Sequence, residues 1–200
     1  MQAKRSAQRG FTLLELMITL AVAATLAAIA VPNMRDFMRN NRLSSTANDM
    51  LRAVQVARSE AVKRQAVVAV CASSDPDAAE PTCSGGAMTG WIVFQDASTP
   101  PNWDRDNGEV ILQRQRVAAG VTVSNDNTGK VSYSATGFAT NTPGQTPTSR
   151  VVICDVRGNL TVGANSVARA MVIENTGRAR ITRDPTEITS ALTATGGTCP

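Results

Sequence analysis

From Phe11 to Asn33 the chain carries a single ionisable residue, Glu15, in an otherwise apolar run that follows Lys4, Arg5 and Arg9. A helix of that length rises about 35 Å, enough to cross about 30 Å of hydrocarbon. A secretory signal would end in a small-residue cleavage site just beyond its apolar region. Here the run continues into a helical pattern, so cleavage after it is not expected. Glu15 is the anomaly. A carboxylate inside a membrane helix costs roughly 2.5–3.5 kcal/mol on insertion scales and is as a rule paired and functional. The next cation along the same helix is Arg35, about 30 Å away. The partner of Glu15 must therefore come from elsewhere.

Pro32 should bend this helix, since it lacks an N–H and clashes with the preceding turn, but the helical pattern resumes beyond it. Leu43, Ala47, Met50, Leu51, Val54, Ala57 and Ala61 recur at steps of three and four, with Arg42, Asp49, Arg52 and Lys63 on other faces. One helix from Phe11 to about Arg64 would be about 80 Å long, bare and apolar first, amphipathic second. From Ala66 the apolar runs shorten: Val67–Ala72, Trp91–Phe94, Val110–Gln113, Val121–Val123, Val131–Ser134, Val151–Cys154, Ala168–Ile173 and Arg178–Thr182. These read as strands of a mainly antiparallel sheet. Gly85-Gly86, Asn107-Gly108, Thr128-Gly129, Arg157-Gly158-Asn159 and Asn175-Thr176-Gly177 supply turns, and Asn141–Ser149 reads as an exposed loop.

Composition removes whole classes of function. The chain has no histidine, which excludes Ser-His and Cys-His catalysis, His-ligated zinc and imidazole switches. No other nucleophile–base pair stands out, so an enzyme is not expected, nor is a cofactor. Seven aromatic residues are too few for base-stacking platforms. Charge is segregated, with seven basic against three acidic residues from Arg35 to Arg64 and six against two from Arg150 to Arg183. Two basic regions flank an acidic middle, which allows a polyanionic partner.

The run Arg9-Gly10-Phe11-Thr12-Leu13-Leu14-Glu15 resembles the type IV prepilin signal. That resemblance implies cleavage between Gly10 and Phe11 by prepilin peptidase, methylation of the new amine, and pairing of Glu15 with the Phe amine of a neighbouring subunit. Arg58-Ser59-Glu60-Ala61, Gly90-Trp91-Ile92-Val93-Phe94 followed by Asp96, and Glu109-Val110-Ile111-Leu112 are similar to the pattern of GspH and FimT-type minor pilins. On residue type alone, Trp91 and Phe94 are core and Glu60 is a helix-surface or cap contact. The implied fold is α+β, the type IV pilin fold, in which a long N-terminal membrane-spanning and amphipathic helix packs on an antiparallel head. The expected organisation is leader 1–10, membrane half 11–34, amphipathic half 35–65 and head 66–200. The chain would sit in the inner membrane with a periplasmic head, and in the pilus beside other pilins.

Cys71, Cys83, Cys154 and Cys199 form no C-x-x-C and have no His companions, so metal binding and thioredoxin-like chemistry fit poorly. A head outside the membrane lies in an oxidising compartment. Of three connectivities, Cys71 to Cys83 with Cys154 to Cys199 is favoured, the second pinning a loose C-terminal tail. Asp96, Asp104, Asp106, Asn107 and Glu109 crowd one loop whose Asp104–Gly108 echoes a calcium loop. Arg105 stands inside the cluster and Gln115 where the bidentate Glu belongs, and Asp-x-Asp-x-Gly is equally hairpin chemistry. No metal site is expected.

Gly177-Arg178-Ala179-Arg180 follows a predicted turn, and alternation places Arg178 and Arg180 on one face, solvent-facing, with Arg183 and Arg169 near. Guanidiniums suit bidentate phosphate contacts. The motif resembles the Gly-Arg-x-Arg of FimT-type minor pilins, which implies non-sequence-specific DNA binding in natural transformation. A GspH-like pseudopilin of a type II secretion system shares everything except that motif and remains the alternative.

Overall fold

The structure, a computed structural model, describes residues 10–84, 88–106, 108–126, 129–140, 149–197 and 199. The leader up to Arg9, the Gly85-Gly86 turn, Asn107, Thr128 and most of the expected 141–149 loop lie outside these residues. The chain divides into two compact units, one ending at Arg39 and one running from Asn40 to Pro200.

Helix α1, Leu13–Arg64, belongs to both and passes through Pro32 without interruption. Good helix formers dominate its sequence, and Thr12 Oγ1 accepts the Glu15 N–H at 3.2 Å, satisfying one orphan donor of the first turn. In the first unit its apolar window is long enough to cross a membrane and none of it is buried.

In the second unit the helix buries Leu43, Ala47, Met50, Ala53, Val54, Ala57 and Ala61, each at most 2% exposed. Four alanines along this stripe let strands approach the helix backbone closely. Among the described residues eleven strands follow: β1 Val67–Ser73, β2 Gly90–Asp96, β3 Ile111–Arg116, β4 Val121–Asn125, β5 Lys130–Tyr133, β6 Ala139–Thr140, β7 Ser149–Asp155, β8 Thr161–Val162, β9 Asn165–Ser166, β10 Arg169–Ile173 and β11 Ala179–Thr182. They form a sheet of order β3-β2-β1-β5-β6, a second of order β11-β10-β7-β4, and the β8-β9 ribbon. All pairings are antiparallel.

Strand alternation sorts the core. Val68, Val70, Trp91, Val93 and Tyr133 of the first sheet join Val151, Ile153, Met171 and Ile173 of the second around the α1 stripe. The opposite face of β1 and β2, with Ala69, Cys71, Ile92 and Phe94, is closed by Cys83, which is bonded to Cys71. The opposite face of β7 and β10, with Val152, Cys154, Ala170 and, just ahead of β10, Ala168, is covered by α2, Pro185–Thr195, through Ile188 and Ala191. Each fully buried aliphatic or aromatic side chain contributes roughly 1.5–3 kcal/mol. Cys199, just beyond α2, is bonded to Cys154.

Candidate functional site

At the N-terminal end, Gly10 is exposed, with nothing within 4 Å of where a Cβ would stand. Phe11 is 84% exposed. The Glu15 side chain is exposed and makes no hydrogen bond or ion pair among the described residues.

The arginine turn is built from α1 outward. The Gly177 N–H donates to the Glu174 carbonyl at 2.8 Å and the Glu174 N–H to the Arg178 carbonyl at 2.9 Å, closing the β10–β11 hairpin. Gly177 has φ +78°, and a Cβ there would lie 2.4 Å from the Gly137 carbonyl oxygen and 3.0 Å from the Tyr133 ring. Only glycine fits, for reasons of turn conformation and close packing. Arg58 reaches across from α1, its Nη2 donating to the Thr176 carbonyl at 3.1 Å and its Nη1 to the Gly177 carbonyl at 3.4 Å. The Tyr133 hydroxyl donates to the same Gly177 carbonyl at 3.4 Å. Burial pushes the Tyr133 phenol well above its ordinary pKa, so it stays a donor. Arg58, in the Arg58-Ser59-Glu60-Ala61 run of the family pattern, thus holds this turn.

The four expected arginines do not converge. Arg178, one residue ahead of β11, is exposed and makes no side-chain bond among the described residues. Arg180 is partly exposed but not free: its Nη1 and Nη2 donate to the two carboxylate oxygens of Glu187 on α2, at 2.9 and 2.6 Å. The pair holds Glu187 down to about 2 and raises Arg180 further. Arg183 is exposed and donates through Nε and Nη2 to the Ser166 carbonyl, at 3.2 Å each. Arg169 is only 6% exposed. It donates to the Val167 carbonyl and, at 3.2 Å, to Ser44 Oγ on α1. Burial, then the nearby Arg183 and Arg157, lower its pKa. The expectation that Arg169 joins an anion surface is corrected: its guanidinium is committed to the core side of β10.

Glu187 and α2 were missed in sequence, although the signals are present. Asp184 caps the helix by accepting the Thr186 and Glu187 N–H groups at 2.9 and 3.0 Å, Pro185 opens it, and Gly196 closes it in the left-handed region.

The carboxylates of the acidic loop already have partners within the chain. Buried Asp96 accepts the N–H groups of Ser98 and Trp103 at 3.0 and 2.8 Å. Glu109 accepts those of Ala97 and Asp106 at 2.7 and 2.9 Å. Asp104 pairs with Lys130 at 2.5 Å, and Arg105 pairs with Glu80. Among the described residues no three His, Cys, Asp or Glu side chains group as metal ligands. Glu60 pairs with Arg64 at 2.6 Å and Lys63 at 3.4 Å on the surface of α1, and the Arg64 bond chiefly lowers its pKa.

Residues 46–177 match the family described as type II transport protein GspH, and residues 5–31 match the prokaryotic N-terminal methylation motif. The chain belongs to the GspH family. It is thus a pilin-type subunit, a minor pilin or pseudopilin of the type IV pilus and type II secretion families, anchored by an apolar N-terminal helix and associating with other pilins. The family is one of structural subunits, not of known enzymes. Two crystal forms of the type IV minor pilin FimU of Pseudomonas aeruginosa are similar to the chain, at 19% and 18% identity and TM-scores of 0.46 and 0.45. The likeness covers 75% and 70% of this chain and 94% and 91% of the FimU chains. Among curated proteins no significant match is found.

Proposed function

We propose that the chain is a minor type IV pilin of the inner membrane. Prepilin peptidase cuts after Gly10, the Phe11 amine is methylated, and Glu15 meets a neighbour's amine during assembly. Residues 11–34 hold the membrane half and the head lies in the periplasm, where Cys71–Cys83 and Cys154–Cys199 form. In the pilus, the head touches DNA phosphates during natural transformation without reading sequence.

The observation that carries the DNA contact is Arg178: exposed, without an intrachain partner among the described residues, and on a turn held by Arg58 and Tyr133 and closely packed against Gly137. A preorganised turn loses little freedom on binding. Two or three phosphate contacts make log affinity fall by about 0.9 per contact for each tenfold rise in salt. The full chain in neutral detergent should bind duplexes of unrelated sequence equally, at about micromolar affinity or weaker. Replacing Arg178 and Arg180 by Gln should abolish most of that binding. Undiminished binding by the double variant contradicts the assignment.

A second reading, a pseudopilin of type II secretion, is favoured by the fact that Glu187 occupies Arg180 and the fold buries Arg169. It predicts that deletion stops exoprotein release and leaves DNA uptake untouched.

A further inference from the structure

The outer face of the second sheet carries a row that the hairpin alone does not reveal. Arg150 of β7 and Arg180 of β11 both pair in register with Val172 of β10. Residues opposed in this way point to one face, and two strand spacings put the backbones of the two arginines about 10 Å apart. Between them and the first turns of α2 lies a cavity of about 260 Å³ lined by Arg150, Val172, Arg180, Thr186, Glu187 and Ser190. Two guanidiniums, two hydroxyls and one carboxylate thus face one open recess.

Glu187 already fills part of it. Its carboxylate takes both terminal nitrogens of Arg180, the forked edge through which a guanidinium grips a phosphate. Its place is set from below by the Asp184 cap and by Ile188, which is fully buried. The pair itself stays accessible, with side chains 41% and 38% exposed, so salt screens it and a competing anion can displace it.

We propose that Arg150 and Arg180 form a phosphodiester site and that Glu187 is its built-in competitor, a carboxylate that a DNA phosphate must displace to reach Arg180. This rests on the DNA-contact reading above and adds Arg150 and α2 to it. Arg178 makes the first contact, and Arg180 joins only when Glu187 gives way. The binding surface is thereby kept weak towards lone anions and responsive to a polyanion that brings several phosphates at once.

The test measures binding of a short duplex of arbitrary sequence to the full chain in neutral detergent, across a salt series. Glu187→Gln should tighten binding about five-fold and steepen the salt slope by about 0.9, one further phosphate contact. Glu187→Asp, which keeps the charge but withdraws the carboxylate, should also tighten binding. In an Arg180→Gln background neither change should give that gain, and Arg150→Gln should weaken Glu187→Gln more than wild type. An intact Cys154–Cys199 bond and unchanged hydrogen exchange of the Ile188 amide, which bonds the Asp184 carbonyl at the start of α2, establish that α2 is still docked. If wild type binds and Glu187→Gln gains nothing, or gains equally in the Arg180→Gln background, the competitor is overturned while the DNA contact stands. If no variant binds, the DNA reading falls and the competitor with it.

Discussion

Residues 13–39 and 40–64 belong to one helix, yet their surroundings are opposite. Leu13, Leu20, Leu26 and Ile29 of the first stretch are 77%, 60%, 64% and 68% exposed, whereas Leu43, Ala53, Ala57 and Ala61 of the second are at 0%. Backbone hydrogen bonding is satisfied alike in both, so helicity does not distinguish them. Side-chain pattern does. The second stretch alternates apolar stripe with Arg42, Asp49 and Arg52, and finds its partner in two sheets of the same chain. The first is apolar up to Val31 apart from Glu15 and finds none among the described residues, which is the pattern of a helix whose partners are lipid and other subunits.

The contrast can be broken most directly by truncating a leucine in each stretch. Leu43→Ala should lower head stability by about 2–5 kcal/mol, as for a buried leucine that leaves a cavity. Leu20→Ala should change it by less than about 0.5 kcal/mol. Thermal melts of the full chain in detergent, followed by near-ultraviolet circular dichroism of the tryptophans, separate the two. Equal losses would mean that the first stretch also packs within the chain.

A smaller effect sharpens what the second stretch does beyond filling a core. Gly177→Ala forces a side chain into φ +78° and against the Gly137 carbonyl, costing more than about 1 kcal/mol. Arg58→Ala removes two hydrogen bonds to the same turn, costing about 1 kcal/mol. Hydrogen exchange of the Gly177 amide should rise in the Arg58 variant while that of Ile153 does not. Unchanged exchange at Gly177 would deny α1 its role in holding the turn.

The smallest effect contrasts two carboxylates, Glu15 with no partner among the described residues and Glu187 clasped by Arg180. An unfolded Glu titrates near about 4.3, and Glu187 in the fold is held down to about 2. A depressed folded value means that the stabilisation is fully present above pH about 4.3 and is lost as the pH falls towards 2. The pair is partly exposed, so the contribution is discounted to about 1 kcal/mol or less. The melting difference between wild type and Glu187→Gln should be constant above pH 5 and vanish near pH 2. A difference that persists at pH 2 would assign Glu187 some other role.

How much of this was legible in sequence depended on whether a signal was local. The helix and its two characters could be read because hydrophobic period and charge are local properties. The eight predicted strands all appear, seven of them within two residues at each end and β3 running three residues beyond Gln113, because each carries a β-branched or aromatic run with turn residues nearby. The two-residue strands β6, β8 and β9 carry no such run. Helix α2 was overlooked because Thr186, Thr189, Thr193 and Thr195 mask its period with poor helix formers, although Asp184, Pro185 and Gly196 mark its ends. At the site, Gly177 and Arg178 could be placed from the turn. The fate of Arg180 and Arg169 could not, because it is decided by Glu187 seven residues on and Ser44 on a distant helix. Long-range pairing leaves no trace in spacing.

We assign to the bare half of α1 a role in contact between molecules, with Glu15 as its one ionisable side chain. Its direct measurement is the amount of chain in sheared filaments, against the amount of processed chain in membranes, for wild type and Glu15→Ala. Both should be cut to begin at Phe11 and reach equal levels in the membrane, while Glu15→Ala should be nearly absent from filaments. Wild-type amounts of Glu15→Ala in filaments would contradict it.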